Sequence, residues 1–191
     1  MDILDCIKSR RSIRRYTEDQ ISPEHLDMLL EAATWAPSGS NNQSWLFVAI
    51  QNRDVLRELN DLVKRTFLTW TPDDDYPAKK KAKINAEKES FSFFHHAPTL
   101  VVAANVSGYQ NAVVDCSLAL QNIFLAAHSV GLGTCWINQL RWLSKEAPVR
   151  EFLATKGLPR ELDIFGSAAV GYPAHAPSAF ARKDGTIHIV R

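Results

Sequence analysis

The stretch Ala112 to Val130 constrains this chain more than any other. Read as a helix it makes about five turns, and it is apolar on nearly all sides. Such a helix cannot lie on a surface, and the polar residues Asp115, Gln121, Asn122 and His128 argue against a membrane span. Gly131 follows as a C-terminal cap. The helix must therefore be the centre of a core, and the rest of the chain must wrap around it.

Four apolar runs supply that wrapping as buried strands: Leu46 to Ile50, Thr99 to Val106, Thr134 to Asn138 and Ile164 to Val170. A short terminal strand is expected at Ile187 to Val190. Helices are expected through Ile3, Leu4 and Ile7, which share one apolar stripe, and from Ser22-Pro23 through Leu26, Leu29, Leu30 and Ala33, ending before Pro37. Asp54 to Phe67 and Lys145 to Lys156 also carry helical spacing. Ala36 to Ser44 has loop chemistry, a break is expected at Thr71 to Pro77, and the Lys-rich stretch Lys79 to Lys88 reads as a solvated face. Strands interleaved with helices, with no internal repeat or linker in 191 residues, indicate an α+β or α/β sandwich forming a single domain, 1–191.

Charge narrows the function. Lys and Arg number 22 against 21 acids, so a nucleic-acid binder using its whole surface is excluded. Cys6, Cys116 and Cys135 are too far apart for a C-x-x-C clip and read as free thiols of a soluble cytoplasmic protein, and no secretory signal opens the chain. Gly131-Leu132-Gly133-Thr134 follows a helix and lacks the third glycine of a dinucleotide fingerprint; no phosphate-binding P-loop or G-x-S-x-G elbow occurs either. His95 and His96 are adjacent and project differently, so they read as structural histidines and no metal site is expected. No protein nucleophile stands out, which points to a borrowed cofactor. The basic run Lys8 to Arg15, which includes Ser12, leaves three readings open: a grip on a phosphate-bearing small molecule, a nucleic-acid arm, or a solvated surface.

Taken in order, several segments resemble the FMN-dependent nitroreductase family. They are Arg10-Arg11-Ser12-Ile13-Arg14, Ala36 to Trp45, the helix with Asp115, Gln121 and Asn122 running into Gly131 to Ile137, Gly171-Tyr172-Pro173, and Arg182. The resemblance implies a nitroreductase-like three-layer α-β-α sandwich of the α+β class with a central, mostly antiparallel sheet. It further implies an intertwined homodimer with FMN at the subunit interface. By it, Arg10, Ser12 and Arg14 hold the phosphate and ribityl end of FMN, with Arg11 beside them and Arg182 and Lys183 closing on the phosphate. Pro37, Ser38, Gly39 and Asn41 belong to a loop given to the opposite subunit, and Trp136, Ile137, Asn138 and Gln139 face the isoalloxazine. Catalysis would then be carried by FMN N5 and by no side chain.

Two departures from the family stand out. Ser44 replaces the proline that commonly precedes the tryptophan, a change expected to alter loop stiffness only. Ser90 to Phe94 stands where some members carry an Asn and a Lys on the flavin's polar edge, which leaves those contacts unassigned. Residues 67 to 94 form the variable lid, and its aromatics are expected mainly in the core. The activity implied is NAD(P)H-dependent reduction of nitroaromatics, quinones or related acceptors by a ping-pong two-electron mechanism, without nucleic-acid or membrane partners. A dehalogenating or flavin-fragmenting branch is the alternative within the fold. The former fits less well, since it places a tyrosine in an acidic lid helix where Glu89 is followed by Phe93. From another class, the alternative is a nucleic-acid module using Lys8 to Arg15.

Overall fold

A computed structural model describes residues 2–71 and 76–191. Its elements are α1 (Ile3–Ser9), α2 (Pro23–Thr34), β1 (Leu46–Ile50), α3 (Arg53–Thr69), α4 (Pro77–Ala86), β2 (Thr99–Val106), α5 (Ala112–Ser129), β3 (Gly133–Ile137), α6 (Gln139–Trp142), α7 (Ala147–Ala154) and β4 (Leu162–Gly171). The strands form one sheet in the order β1-β2-β4-β3, with every neighbouring pair antiparallel.

Both faces of the sheet are covered. Along β2, Leu100, Val102 and Ala104 pack with α3, α4 and α7, whereas Val101 and Ala103 pack with α2 and α5. This explains why β2 reads as a continuous apolar run rather than an alternating one, and it gives the expected three layers. α5 packs against the sheet and α2 as expected but is not enclosed on every side, since Val114 and Leu118 are exposed. Ala119, Leu120, Ile123 and Ala127 are wholly buried, and the helix closes in a Schellman motif: the Leu132 N–H donates to the Ala127 carbonyl (2.8 Å) and Gly131 takes φ 83°.

Local chemistry sets the helix ends. Ser22 Oγ accepts from the His25 amide (3.2 Å) with Pro23 at the first turn, and Asn52 Oδ1 accepts from the amides of Asp54 and Val55 (3.0 and 3.1 Å). The Lys-rich stretch is helical as α4 and buries Ala82 and Ala86 while its lysines stay at the surface. The expected break at Thr71 to Pro77 falls largely on residues 72–75, outside the described residues. Phe67, Phe91, Phe93 and Phe94 are buried, so these aromatics of residues 67–94 belong to the core.

One expectation needs correction. Ile187 to Val190 forms no strand; its large side chains are exposed, because no described strand edge lies alongside to complete a ladder. The first helix forms where expected, as α1, and its apolar stripe of Ile3, Leu4 and Ile7 faces outward while Cys6 is buried. No described helix is long and apolar enough to cross a membrane.

Candidate functional site

The basic run leaves α1 at Arg10, whose amide donates to the Cys6 carbonyl (3.0 Å), and continues as an extended segment. That segment docks beside β3. The Ile13 amide donates to the Thr134 carbonyl (2.9 Å), and Ser12 pairs with Thr134 as a parallel bridge. Gly133 makes the approach possible, since a Cβ there would stand 2.6 Å from Ile13 Cγ1. Arg10 is half-buried, with its guanidinium over the Phe124 ring at 5.5 Å. Burial lowers its pKa first; Arg11 and Arg182 also push it down, against the opposing pull of Cys135 and Cys6. Arg182 thus lies within electrostatic reach of Arg10.

Arg14, Arg10 and Ser12 all act on the Cys135 thiol, each partly offsetting the burial that pushes its pKa up. All three therefore lie along β3 within electrostatic reach of that thiol. Arg11 turns away, donating to the carbonyls of Lys8 and Arg10 (2.7 and 2.6 Å) and so capping α1. Lys183 is exposed in a turn. A cavity of about 330 Å³ borders Arg10, Arg11, His128 and Thr134, and a second of about 290 Å³ borders Ser12, Arg14, Arg15 and His175. Neither has a carboxylate among its described lining residues, so the donor set suits a dianionic phosphate ester. The half-buried Arg10 argues against a free nucleic-acid arm.

Sequence reasoning missed His128, although its place in the last turn of α5 just before Gly131 marks it as a neighbour of the basic run. Its Nε2 lies 2.8 Å from Ser9 Oγ, and burial, Arg10 and Arg11 all lower its pKa.

The loop Pro37 to Ser44 sits elsewhere. The Gly39 amide donates to Asp115 Oδ1 (3.1 Å), the Tyr109 hydroxyl donates to the Gly39 carbonyl (3.2 Å), and the Asn111 and Tyr109 side chains fill the space a Cβ would need. Ser38 Oγ accepts from the Gln43 amide (3.0 Å), and Ser40, Asn41 and Gln43 all take positive φ. Ser44 does more than change stiffness: its hydroxyl donates to Oδ1 of the buried Asn105 (2.8 Å), a link that proline could not make. The Gly39–Asp115 link lies in the first turn of α5, whereas Arg10 packs on Phe124, nine residues further along. At 1.5 Å per residue the two are about 14 Å apart along the helix. One chain therefore does not bring the loop and the basic segment together.

At the other end of β3, Trp136 Nε1 donates to Asn138 Oδ1 (2.7 Å), and the indole stands edge-on to Phe124 in space left by Gly166. The side chain of Ile137 is buried. The β3–β4 ladder stops at Ile137–Ser167, so the amides of Asn138 and Gln139 lie beyond the sheet's hydrogen bonding.

The model of the nitroreductase family matches residues 7–172. The chain is 36% identical, at TM-score 0.90 over 100% of both chains, to a nitroreductase of Bacteroides fragilis solved with bound FMN. It is also 30% identical to a Methanothermobacter thermautotrophicus protein provisionally named NADH dehydrogenase/NAD(P)H nitroreductase, covering 93% of this chain and 80% of that one. The FMN reductase (NADPH) of Bacillus subtilis is 28% identical, over 90% of this chain and 66% of its own. On the extent of these matches and the shared fold, the chain belongs to the nitroreductase family.

Proposed function

We propose that the chain is an FMN oxidoreductase that uses NADH or NADPH to reduce nitroaromatics, quinones or related acceptors. The observation that carries the reading is the carboxylate-free strip of Arg10, Ser12 and Arg14, joined by Arg182, in a chain so similar over its full length to an FMN-bound nitroreductase. In this reading Arg10 and Arg182 grip the phosphate, helped by Lys183; Ser12 and Arg14 continue along the ribityl chain, and Arg11 steadies Arg10 by capping α1. Trp136 to Gln139 border the ring, with the amides beyond the ladder offered to it. Bound FMN would supply the two-electron chemistry, taking a hydride from the nicotinamide and passing it to the acceptor. The protein binds and orients both.

If donor and acceptor use one face in turn, initial rates at several fixed acceptor concentrations give parallel double-reciprocal lines against NADH or NADPH. Anaerobic mixing with the nicotinamide alone bleaches the yellow flavin. Intersecting lines would require a second pocket, and failure of both nicotinamides to bleach it would move the assignment to a specialised branch.

The reading includes a homodimer in which Pro37, Ser38, Gly39 and Asn41 complete the partner's site. The exposed apolar side chains of Ile3, Leu4 and Ile7 on α1 and of Val114 and Leu118 on α5 support it, as surface a partner would cover. Sedimentation of the FMN-loaded protein at low micromolar concentration should give twice 21.4 kDa. A fully active flavin-loaded monomer contradicts the shared site. The three buried free thiols suit a reducing cytoplasm.

A further inference from the structure

Asp115 on α5 and Asn105 on β2 are 2% and 0% exposed, and among the described residues Asp115 Oδ2 and Asn105 Nδ2 take no hydrogen bond. Burying polar atoms in this way costs stability. Each side chain uses its other polar atom to hold one end of the loop Pro37 to Ser44. Asp115 Oδ1 accepts from the Gly39 amide (3.1 Å), and Asn105 Oδ1 accepts from the Ser44 hydroxyl (2.8 Å). The Tyr109 hydroxyl donates to the Gly39 carbonyl (3.2 Å), so the Gly39 residue is gripped through both its N–H and its C=O.

Between the two pins, Ser40 (φ 53°), Asn41 (φ 54°) and Gln43 (φ 48°) take left-handed backbone, which costs an L residue energy and persists only where its surroundings impose it. The loop also closes on itself. The Asn41 amide donates to the Ser38 carbonyl (2.9 Å), the Asn42 amide to the Gly39 carbonyl (3.0 Å), and Gln43 Nε2 to Asn41 Oδ1 (2.9 Å). Ser40 to Gln43 are nonetheless exposed, so a costly conformation is fixed from beneath and presented outward. The basic strip of the same chain lies about 14 Å away along α5, out of the loop's reach.

We propose that Asp115 and Asn105, with Tyr109, are positioning residues for the cofactor site of the partner subunit: buried in one chain, they hold its Pro37 to Ser44 loop in the shape that completes the site of the other. The proposal rests on the FMN and homodimer reading above. None of the three touches the cofactor; each acts through the loop it pins. Released from the pins, the left-handed residues would relax toward ordinary φ, and FMN would have to order the loop on binding. A substitution beneath the loop of one chain therefore weakens binding in the other chain's site and spares its own.

The test is a mixed dimer of full chains, purified through a different affinity tag on each. One chain carries Asp115→Ala, which keeps its phosphate grip and unpins its loop. The other carries Arg10→Ala with Arg182→Ala, which lose the grip and keep the loop pinned. If Asp115 serves the partner, this pairing contains one whole site, and titration with FMN, read by flavin fluorescence, finds a single FMN per dimer at the wild-type Kd. In the Asp115→Ala homodimer the Kd should rise about tenfold at both sites, whereas Asp115→Asn, which keeps an oxygen for the Gly39 amide, should stay within about threefold of wild type. Tyr109→Phe with Ser44→Ala removes a hydroxyl from each end of the loop and leaves Asp115 and Asn105 in place, so it takes the place of Asp115→Ala, with the same expected rise, if that variant fails to fold. The proposal is overturned if the mixed dimer has no site of wild-type affinity, or if Asp115→Asn loses as much as Asp115→Ala. Wild-type protein that binds no FMN, or binds it as a monomer, would overturn the functional reading as well, whereas an FMN-loaded wild-type dimer beside an unaffected Asp115→Ala overturns this assignment alone.

Discussion

Arg10→Ala combined with Arg182→Ala will weaken FMN binding by about two orders of magnitude or more. Each substitution removes a charge-assisted contact worth roughly 1.5–3 kcal/mol, and each 1.4 kcal/mol is about tenfold in affinity. Singly, each variant should lose about tenfold or more. The two side chains oppose each other's charge, and Arg182 helps to push the Arg10 pKa down. A dianion relieves that repulsion, so the double variant also tests coupling, and the sum of the singles need not equal the pair. Titration of apoprotein with FMN, read by fluorescence, measures all three. Unchanged affinity in either single variant removes that residue from the site.

Leu120→Ala will destabilise the fold by about 2–5 kcal/mol. Leu120 is fully buried on α5 among Ala168 and Val170, and its Cδ1 reaches within 2.9 Å of where a Cβ on Gly166 would stand. Nothing on the surface can collapse into that space. In a domain of this size 1 kcal/mol is about 2–4 °C, so the melting temperature should fall by at least about 4 °C. Leu120→Met, which conserves volume, should cost less than about 1.5 kcal/mol. A melting temperature for Leu120→Ala within about 1 °C of wild type would mean that α5 is not the packed centre of the core.

Sequence alone was informative where one local rule dominates. The four sheet strands and α5 were legible because long apolar runs find a home mainly in the core, even though Val114 and Leu118 of α5 stay exposed, and α2 because serine, proline and a later proline mark both ends. The basic residues were legible as a set, but which of them converge was not. Arg11 is diverted to the carbonyls of α1, a choice that depends on how that helix ends. The role of Ser44 was invisible because its partner, Asn105, is distant in the chain. The Ile187 to Val190 segment misled because alternating apolar residues signal a strand only if an edge is available.

The parallel docking of Ser12 and Ile13 onto β3 carries a mechanical consequence. The same five-residue strand bears the basic segment against Gly133 and Thr134 at one end and releases Trp136 to Gln139 at the other. In the proposed function, this span of about 17 Å would be a common datum for the phosphate grip and the ring border, so that the two would shift as one body with the sheet and their spacing would not depend on intervening loops.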